Sequence, residues 1–182
     1  MKKLLFISND LGREDSGGKA VSFRNLELLK KLEEYKIKVI SFGEGMSSEF
    51  EIIFEVNYSK IELLFKNLFL YAGNLNKKNE KEILRFIFEN KYEVVFLDCS
   101  LFGRIAKKIK KTNHNIKIIT FFHNVEYFYY KERLKLDGVK YFPLVLSSLY
   151  NENLSCKYSD KLISLNERDK LILEKNTKGK LI

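Results

Sequence analysis

The residue of this sequence best suited to acid–base chemistry is a histidine that directly follows an apolar run. His123 comes after residues 116–122, which we predict to form a buried strand. An imidazole at the mouth of a sheet can act near neutral pH as an acid, a base or a hydrogen-bond donor. The alternative is a structural histidine whose ring is satisfied by a backbone carbonyl at the sheet edge. The position of His123 at a strand end favours the functional role.

A glycine-containing loop between the first predicted strand and the first predicted helix is a second candidate site. It spans residues 9–19 and ends in Gly17, Gly18 and Lys19. Glycines there allow backbone N–H groups to approach a phosphate at the helix N terminus. The loop has neither the G-x-G-x-x-G dinucleotide motif nor the G-K-[ST] of a Walker A loop. The alternative, which stays open, is that Ser16 caps the helix and the glycines only make the turn.

Two further polar or aromatic segments have structural interpretations that we favour. Ser100 is not part of a G-x-S-x-G elbow, and no acid–base pair in the sequence is arranged to activate Cys99. We therefore expect Asp98 or Ser100 to cap a helix. The aromatic run at 127–130 could stack nucleobases. We expect it instead to form a helix face that packs on the sheet, with tyrosine hydroxyls at the cleft.

The elements that position these residues are short apolar runs alternating with helix-like segments. Strands are predicted at 4–8, 37–42, 51–56, 92–97, 116–122 and 160–165, with another beginning at 180. Helices are predicted at 20–35, 61–71, 81–90, 101–111 and 167–175, and a helical region begins at 124. This alternation predicts an α/β, Rossmann-like, doubly wound and mostly parallel sheet with helices on both faces. Ligands of such sheets bind beyond the carboxyl ends of the strands.

The composition indicates one globular domain with an excess of positive charge. Of the 182 residues, 45% are hydrophobic and 14% aromatic, and 33 Lys and Arg against 24 Asp and Glu give a net charge of +9. Two cysteines without metal-ligand spacing predict a reducing compartment, so we expect a cytoplasmic protein, with the inner face of the membrane as an alternative location. The charge reflects either attraction to anionic surfaces or compositional bias, and bias is slightly favoured.

One predicted helix combines a wide apolar face with neighbouring lysines. Lys60, Lys66, Lys77 and Lys78 flank the apolar face of the segment 61–71. We expect its apolar face to pack in the core, and peripheral contact with an anionic membrane is the second choice. The lysines of the whole chain are spread over many elements, without an RNA-recognition or helix-turn-helix motif. We therefore expect no nucleic-acid partner.

The order of these features resembles a known family. A first strand, a loop ending in Gly17-Gly18, a long helix and a strand ending in His123-Asn124-Val125-Glu126 are followed by residues 158–163 and by Asn166-Glu167-Arg168-Asp169. This arrangement resembles the N-terminal domain of GT-B-fold, family 4-like glycosyltransferases, which are retaining enzymes that use nucleotide-sugars. The resemblance spans residues 1–182 as a single acceptor-side domain.

The resemblance implies a catalytic cleft between two Rossmann-like domains. According to this resemblance, His123 would be the catalytic residue and would contact the transferred sugar. The segment Gly17-Gly18-Lys19 would approach the donor diphosphate or the acceptor. Asn124, Glu126 and Tyr127 would shape the acceptor side. The implied partners are a nucleotide-sugar donor and a glycan, lipid-linked or protein acceptor, without a metal or other cofactor, in enzymes that build bacterial polysaccharides, glycolipids or protein glycans.

The sequence departs from this family in one large respect. It stops where the family continues into the donor-binding C-terminal domain, so we expect a fragment that folds alone but does not transfer sugar. The alternative is a stand-alone Rossmann-like domain that binds a phosphate-bearing ligand through the Gly17-Gly18 loop without catalysis.

Overall fold

The computed structural model describes residues 1–12, 17–43, 51–175, 177 and 180–181. The strands are β1 (Lys2–Gly12), β2 (Tyr35–Gly43), β3 (Ile52–Phe54), β4 (Val94–Asp98), β5 (Lys117–Phe122) and β6 (Lys161–Ser164). The helices are α1 (Gly17–Lys30), α2 (Lys60–Leu68), α3 (Lys77–Asn90), α4 (Gly103–Thr112), α5 (Glu126–Asp137), α6 (Phe142–Tyr158) and α7 (Glu167–Glu174). Short 3₁₀ turns at Ser100–Phe102 and Val139–Tyr141 precede α4 and α6.

The strands form one parallel sheet in the order β3-β2-β1-β4-β5-β6. The Rossmann-like, doubly wound fold class predicted from the sequence is thereby confirmed. The strand order reverses between β1 and β4, where the two halves of the sheet diverge. Ligands of open α/β sheets bind in the crevice beyond the carboxyl ends of the strands at this point.

The core lies on both faces of the sheet because successive side chains of the central strands alternate between two buried layers. One layer packs against α3 and α4 and includes Leu5, Ile7, Val95, Leu97, Ile83, Ile87, Ile105 and Ile109. The other layer packs against α1 and includes Leu4, Phe6, Phe96, Phe121 and Leu26. In that layer the rings of Phe6 and Phe96 stack with their centroids 5.3 Å apart, which fixes the pairing of β1 with β4.

Three helices differ from the sequence expectations. Helix α6 was not predicted as an element of its own. Helix α5 packs mainly on α6 and has no fully buried residue, so the expectation that it covers the sheet is wrong. Helix α2 ends at Leu68 and exposes most of its apolar side chains, so the expectation that its apolar face joins the core is also wrong. In the described part of the chain, no helix has the length and apolarity needed to cross a bilayer.

Candidate functional site

The centre of the candidate site is a fully buried carboxylate at the end of β4. Asp98 accepts hydrogen bonds from Ser8 Oγ of β1 at 3.1 Å and from Asn25 Nδ2 of α1 at 2.9 Å. The Nε2 atom of His123 lies 3.4 Å from Asp98 Oδ1. Asp98 thus connects the two strands of the switch point to α1 and to the end of β5. Its expected role as a helix cap is wrong, because its oxygens face these groups and not a helix N terminus.

The ring orientation of His123 follows from its contacts. Its Nε2 atom lies 3.1 Å from the backbone oxygen of Asp98, which can only accept, so Nε2 carries the proton. The ring also meets Phe121 edge-on, with centroids 5.0 Å apart. Nδ1 is shielded from solvent and has no hydrogen-bond partner among the described residues. A buried ring nitrogen without a hydrogen-bond partner requires an explanation, and one explanation is that it bonds to a ligand atom.

The charge state of His123 is set by opposing effects. Burial lowers the pKa of the imidazole, but the hydrogen bond to Asp98 and the charges of Asp98 and Asp10 outweigh it, so the pKa is raised. The carboxylates stabilise the protonated ring, as expected for an imidazolium beside an anion. His123 is therefore more often a cation near neutral pH than an isolated histidine.

Replacing Asp98 by asparagine is expected to lower the pKa of His123, because the variant removes the carboxylate charge and leaves the burial that disfavours the imidazolium. The pKa can be measured by NMR titration of the ring C–H signals in D98N and in the wild type. The matched variant D10N should produce a smaller decrease, since Asp10 acts on the ring through its charge alone. An unchanged His123 pKa in D98N would show that Asp98 does not control the ring.

A cavity of about 220 Å³ lies at this carboxyl edge of the sheet and includes His123. Its polar lining residues are Asn9, Asp10, Asn67, Asn74, Ser100, His123, Glu126 and Tyr130. Among the residues predicted from the sequence, His123 and Glu126 line it. The backbone and apolar side of the cavity comes from Gly73, Cys99, Leu63, Leu101 and Leu144. Burial raises the pKa of the Cys99 thiol, which agrees with the expectation that Cys99 is not a nucleophile.

The other predicted site residues are not among those that line this cavity. Asn124 is exposed, and Lys19 and Tyr127 are half-buried. Gly18 lies close to the site, since a Cβ placed there would be 3.0 Å from Asp10 Oδ2, whereas Gly17 has open space around it. Ser16, the predicted cap, lies outside the described residues. Binding roles for these residues stay predictions.

Another part of the cavity lining comes from a loop that the sequence did not indicate. Asn9 Oδ1 accepts a hydrogen bond from Asn74 N at 3.0 Å, and Asn74 Nδ2 donates to Asn9 O at 3.3 Å. Gly73 has a φ of +57°, and a Cβ there would lie 3.1 Å from Asn9 Oδ1, so glycine suits this position on both counts. The buried Lys66 donates to the carbonyls of Tyr71, Gly73 and Leu75, and burial lowers its pKa to about 8.

A second buried carboxylate holds the start of α5 in place. Glu152 of α6 accepts hydrogen bonds from the backbone N–H groups of Glu126 at 2.7 Å and Tyr127 at 3.1 Å, and from Ser100 Oγ at 3.0 Å. It therefore caps α5 from a different helix. Ser100 donates to this carboxylate and makes no helix-capping hydrogen bond, so the expected cap at Ser100 is wrong too. The sequence signal was an acidic residue inside the apolar segment 142–158.

The pKa of Glu152 predicts a pH dependence of stability. Burial raises this pKa from 4.5 to about 7, although the three hydrogen bonds oppose the rise. Because the folded state holds the proton more tightly than the unfolded state, this contribution to the free energy of unfolding is complete below about pH 4.5 and lost as the pH rises through about 7. The loss is about 3 kcal/mol at most.

Urea denaturation of E152Q is therefore expected to show a smaller decrease in stability between pH 4.5 and pH 8 than the wild type, because glutamine does not titrate. The control is E132Q on α5, whose exposed carboxylate pairs with Lys135 and should leave the decrease intact. Identical pH profiles for E152Q and the wild type would contradict the raised pKa.

A larger cavity of about 560 Å³ lies at the opposite, amino edge of the sheet. It is lined by strand starts and helix ends, including Lys2, Tyr35, Lys91, Asn115 and Lys117. Its buried phenol, Tyr92, has a pKa raised to about 12 by burial and so stays neutral. The carboxyl-edge cavity is smaller, but it combines the buried Asp98, the orphaned His123 nitrogen and the switch point of the sheet. We take it as the candidate site.

No cluster of three or more His, Cys, Asp or Glu side chains in the described part of the chain is placed to hold a metal ion.

Solved structures with the fold of this chain include two whose names refer to UDP or a UDP-sugar. One, assigned as a UDP-N-acetylglucosamine 2-epimerase from Listeria monocytogenes, superposes with a TM-score of 0.56 at 12% identity over 99% of this chain and 44% of its own. The other, MnaA of S. aureus in complex with UDP, superposes with a TM-score of 0.55 at 14% identity over 100% of this chain and 43% of its own.

These likenesses show a GT-B-like Rossmann fold. The chain spans less than half the length of the two solved structures. No protein-family model and no curated protein sequence matches it.

Proposed function

We propose that the chain is the acceptor-side half of a retaining glycosyltransferase of hexosyltransferase type, which transfers a sugar from a nucleotide-sugar to a glycan, lipid-linked or protein acceptor. The observation that carries this proposal is the pair of Asp98 and His123 at the switch point. Asp98 fixes the ring through Nε2, Nδ1 has no hydrogen-bond partner among the described residues, and His123 lines a polar cavity.

The chemistry of His123 suits a reaction in which a diphosphate leaves. An imidazolium with a raised pKa places a positive charge and an N–H donor where negative charge develops, and a fixed donor needs no reorganisation during the reaction. The N terminus of α1, which begins at Gly17, adds a positive dipole end at the same edge of the sheet. Neither feature requires a metal ion.

The cavity lining suits a sugar. Asn9, Asn74, Glu126 and Tyr130 bring amide, carboxylate and phenol groups that can both donate hydrogen bonds to hydroxyls and accept them. Glu152 holds the start of α5, which carries Glu126 and Tyr130, and Lys66 holds the loop that carries Asn74, so these groups are positioned before a ligand arrives.

The fold neighbours support the nucleotide-sugar part of the proposal. One of them is named for a reaction of UDP-N-acetylglucosamine, and the other was solved with UDP. Both are more than twice as long as this chain, in keeping with a donor that is held mainly by a second domain.

A nucleotide-sugar epimerase is the second candidate, because one neighbour carries that name. A domain that binds a phosphate-bearing ligand without catalysis is the third. These functions differ in their products, since a transferase attaches the sugar to an acceptor, an epimerase changes only the sugar of the nucleotide-sugar, and a binding domain changes neither.

The test incubates the complete gene product, and residues 1–182 alone, with a panel of radiolabelled nucleotide-sugars and with glycan and lipid extracts as acceptors. We expect label on an acceptor with the complete product and none with residues 1–182. A new nucleotide-sugar without acceptor labelling would favour the epimerase. Turnover by residues 1–182 alone, or a reading frame that ends at Ile182, would contradict the proposal.

A further inference from the structure

Helix α2 has its polar side buried and its apolar side exposed. Its buried residues are Lys66 and Asn67. Lys66 donates a hydrogen bond to the loop after the helix, and Asn67 makes hydrogen bonds with the α2 backbone and with Ser147 of α6. Its outer stripe, at positions i, i+3, i+4 and i+7, consists of Ile61, Leu64, Phe65 and Leu68, which are 67%, 45%, 54% and 48% exposed. A helix that only covers a core has the opposite arrangement. The α2 stripe therefore faces something other than the core.

An apolar groove adjoins the α2 stripe. It has a volume of about 410 Å³ and lies between α2 and the start of α6, with Leu63, Leu64, Pro143 and Leu144 in its walls. It shares Leu63, Asn67 and Leu144 with the candidate active-site cavity. The groove thus adjoins the cavity that contains His123.

The charges around the groove are positive. Lys60 and Lys140 line it from opposite sides, and no acidic side chain is among its lining residues. Neither lysine forms an ion pair with any described residue, although Lys140 lies over the ring of Tyr141. The acidic residue of α2, Glu62, accepts a hydrogen bond from Ser59 N at the start of the helix, so its charge serves the cap.

The neighbouring helix also exposes apolar side chains. Helix α6 buries Val145 and Leu154 together with several polar residues, while Phe142, Leu146 and Leu149 are exposed. Val139, next to Lys140 in the preceding turn, is also exposed. Two adjacent helices therefore both direct apolar side chains outward beside basic ones.

We infer that this surface, defined by the α2 stripe, the groove and its two lysines, docks on an anionic lipid bilayer. Apolar side chains that enter the interface while lysines meet lipid phosphates are the pattern of a peripheral membrane helix. Pairing with a second copy of the chain would place Lys60 and Lys140 against like charges, or leave them without partners at a buried interface, so charge complementarity favours the anionic bilayer. This inference does not depend on the proposed function, because docking requires no catalysis.

The test is co-sedimentation of residues 1–182 with vesicles of phosphatidylcholine, with and without 30% phosphatidylglycerol. We expect binding to the anionic vesicles, weakening as salt rises, and little binding to the neutral ones. The double variant K60Q/K140Q should weaken binding on the order of 30-fold. Each lysine close to an anionic membrane surface strengthens binding about fivefold, and the variant removes two of them. The variant F65S/L68S should weaken it by about tenfold or more.

Matched controls lie on other parts of the surface. Lys31 follows α1 on the opposite face of the sheet, and Leu171 is an exposed apolar residue of α7. K31Q and L171S should bind anionic vesicles as the wild type does. The exposed positions of the test variants should leave the melting temperature unchanged.

Two outcomes would overturn the inference. One is equal binding to anionic and neutral vesicles, or equal binding of the test variants and the control variants to anionic vesicles. The other is a dimer in solution that F65S/L68S dissociates, together with no vesicle binding, because the α2 stripe would then be a contact between copies.

Discussion

Replacing His123 by alanine in the complete gene product is expected to reduce sugar transfer by at least about 100-fold. The variant removes the only group of the cavity that combines a raised pKa with an unpartnered ring nitrogen among the described residues. The rate is measured with the nucleotide-sugar identified by the donor panel, as kcat and kcat/KM. A fall in kcat would show that the ring acts in the transition state and not only in binding.

The other histidine provides the control for this substitution. His114 is exposed in the turn after α4, and toward the described residues only its backbone oxygen makes a hydrogen bond, which it accepts from Lys110 Nζ. H114A should therefore transfer sugar at the wild-type rate. H123A should stay folded with a lowered melting temperature, because Asp98 keeps its bonds to Ser8 and Asn25. Near wild-type transfer by folded H123A would make His123 a structural residue.

Replacing Gly103 by alanine is expected to destabilise the chain more than an alanine at Gly17, Gly18, Gly73 or Gly138 would. A Cβ at Gly103 would overlap the backbone oxygen of Asn151 and lie 2.8 Å from Leu154 Cβ. Since α4 and α6 meet there backbone to backbone, they would have to separate. Overpacking usually costs about 1–3 kcal/mol, and we expect this variant to exceed that range. Thermal and urea denaturation measure the loss.

Gly17 is the matched control for this prediction. It lies at the start of α1, has open space around it and does not have a positive φ. G17A should be as stable as the wild type, or up to about 1 kcal/mol more stable, because alanine loses less entropy in a helix. Equal stability of G103A and G17A would mean that α4 and α6 are not in close contact.

The sequence predicted the sheet well because the central strands are buried on both faces. Such strands appear as continuous runs of Ile, Val, Leu and Phe, which need no knowledge of their partners. The same logic failed at α2 and α6. The buried residues of α2 are lysine and asparagine, and those of α6 include three serines, an asparagine and a glutamate beside Pro143, Val145 and Leu154. Hydrophobic periodicity alone therefore does not identify the buried side of either helix.

The candidate site was predictable only where a residue follows a strand. His123 directly follows β5 and Glu126 begins the next helix, so the strand-end rule was enough to select them. Glu152, Asn74 and Lys66 reach the site from helices and loops whose packing depends on tertiary contacts. Asp98 was selected as a position, but its role as the central acceptor depends on Ser8, Asn25 and His123 meeting in space, which sequence distance does not reveal.

The central claim is that the carboxyl-edge cavity beside His123 receives the sugar and phosphate of a nucleotide-sugar. Its most direct test is NMR titration of ¹⁵N-labelled residues 1–182 with UDP-glucose and UDP-N-acetylglucosamine at millimolar concentration. We predict shifts of the amide signals of Asn9, Asn74 and Glu126 and of the ring signals of His123, with those of Tyr92 and Asn115 at the amino edge unchanged. Shifts centred on the amino edge, or none at the carboxyl edge, would contradict the claim.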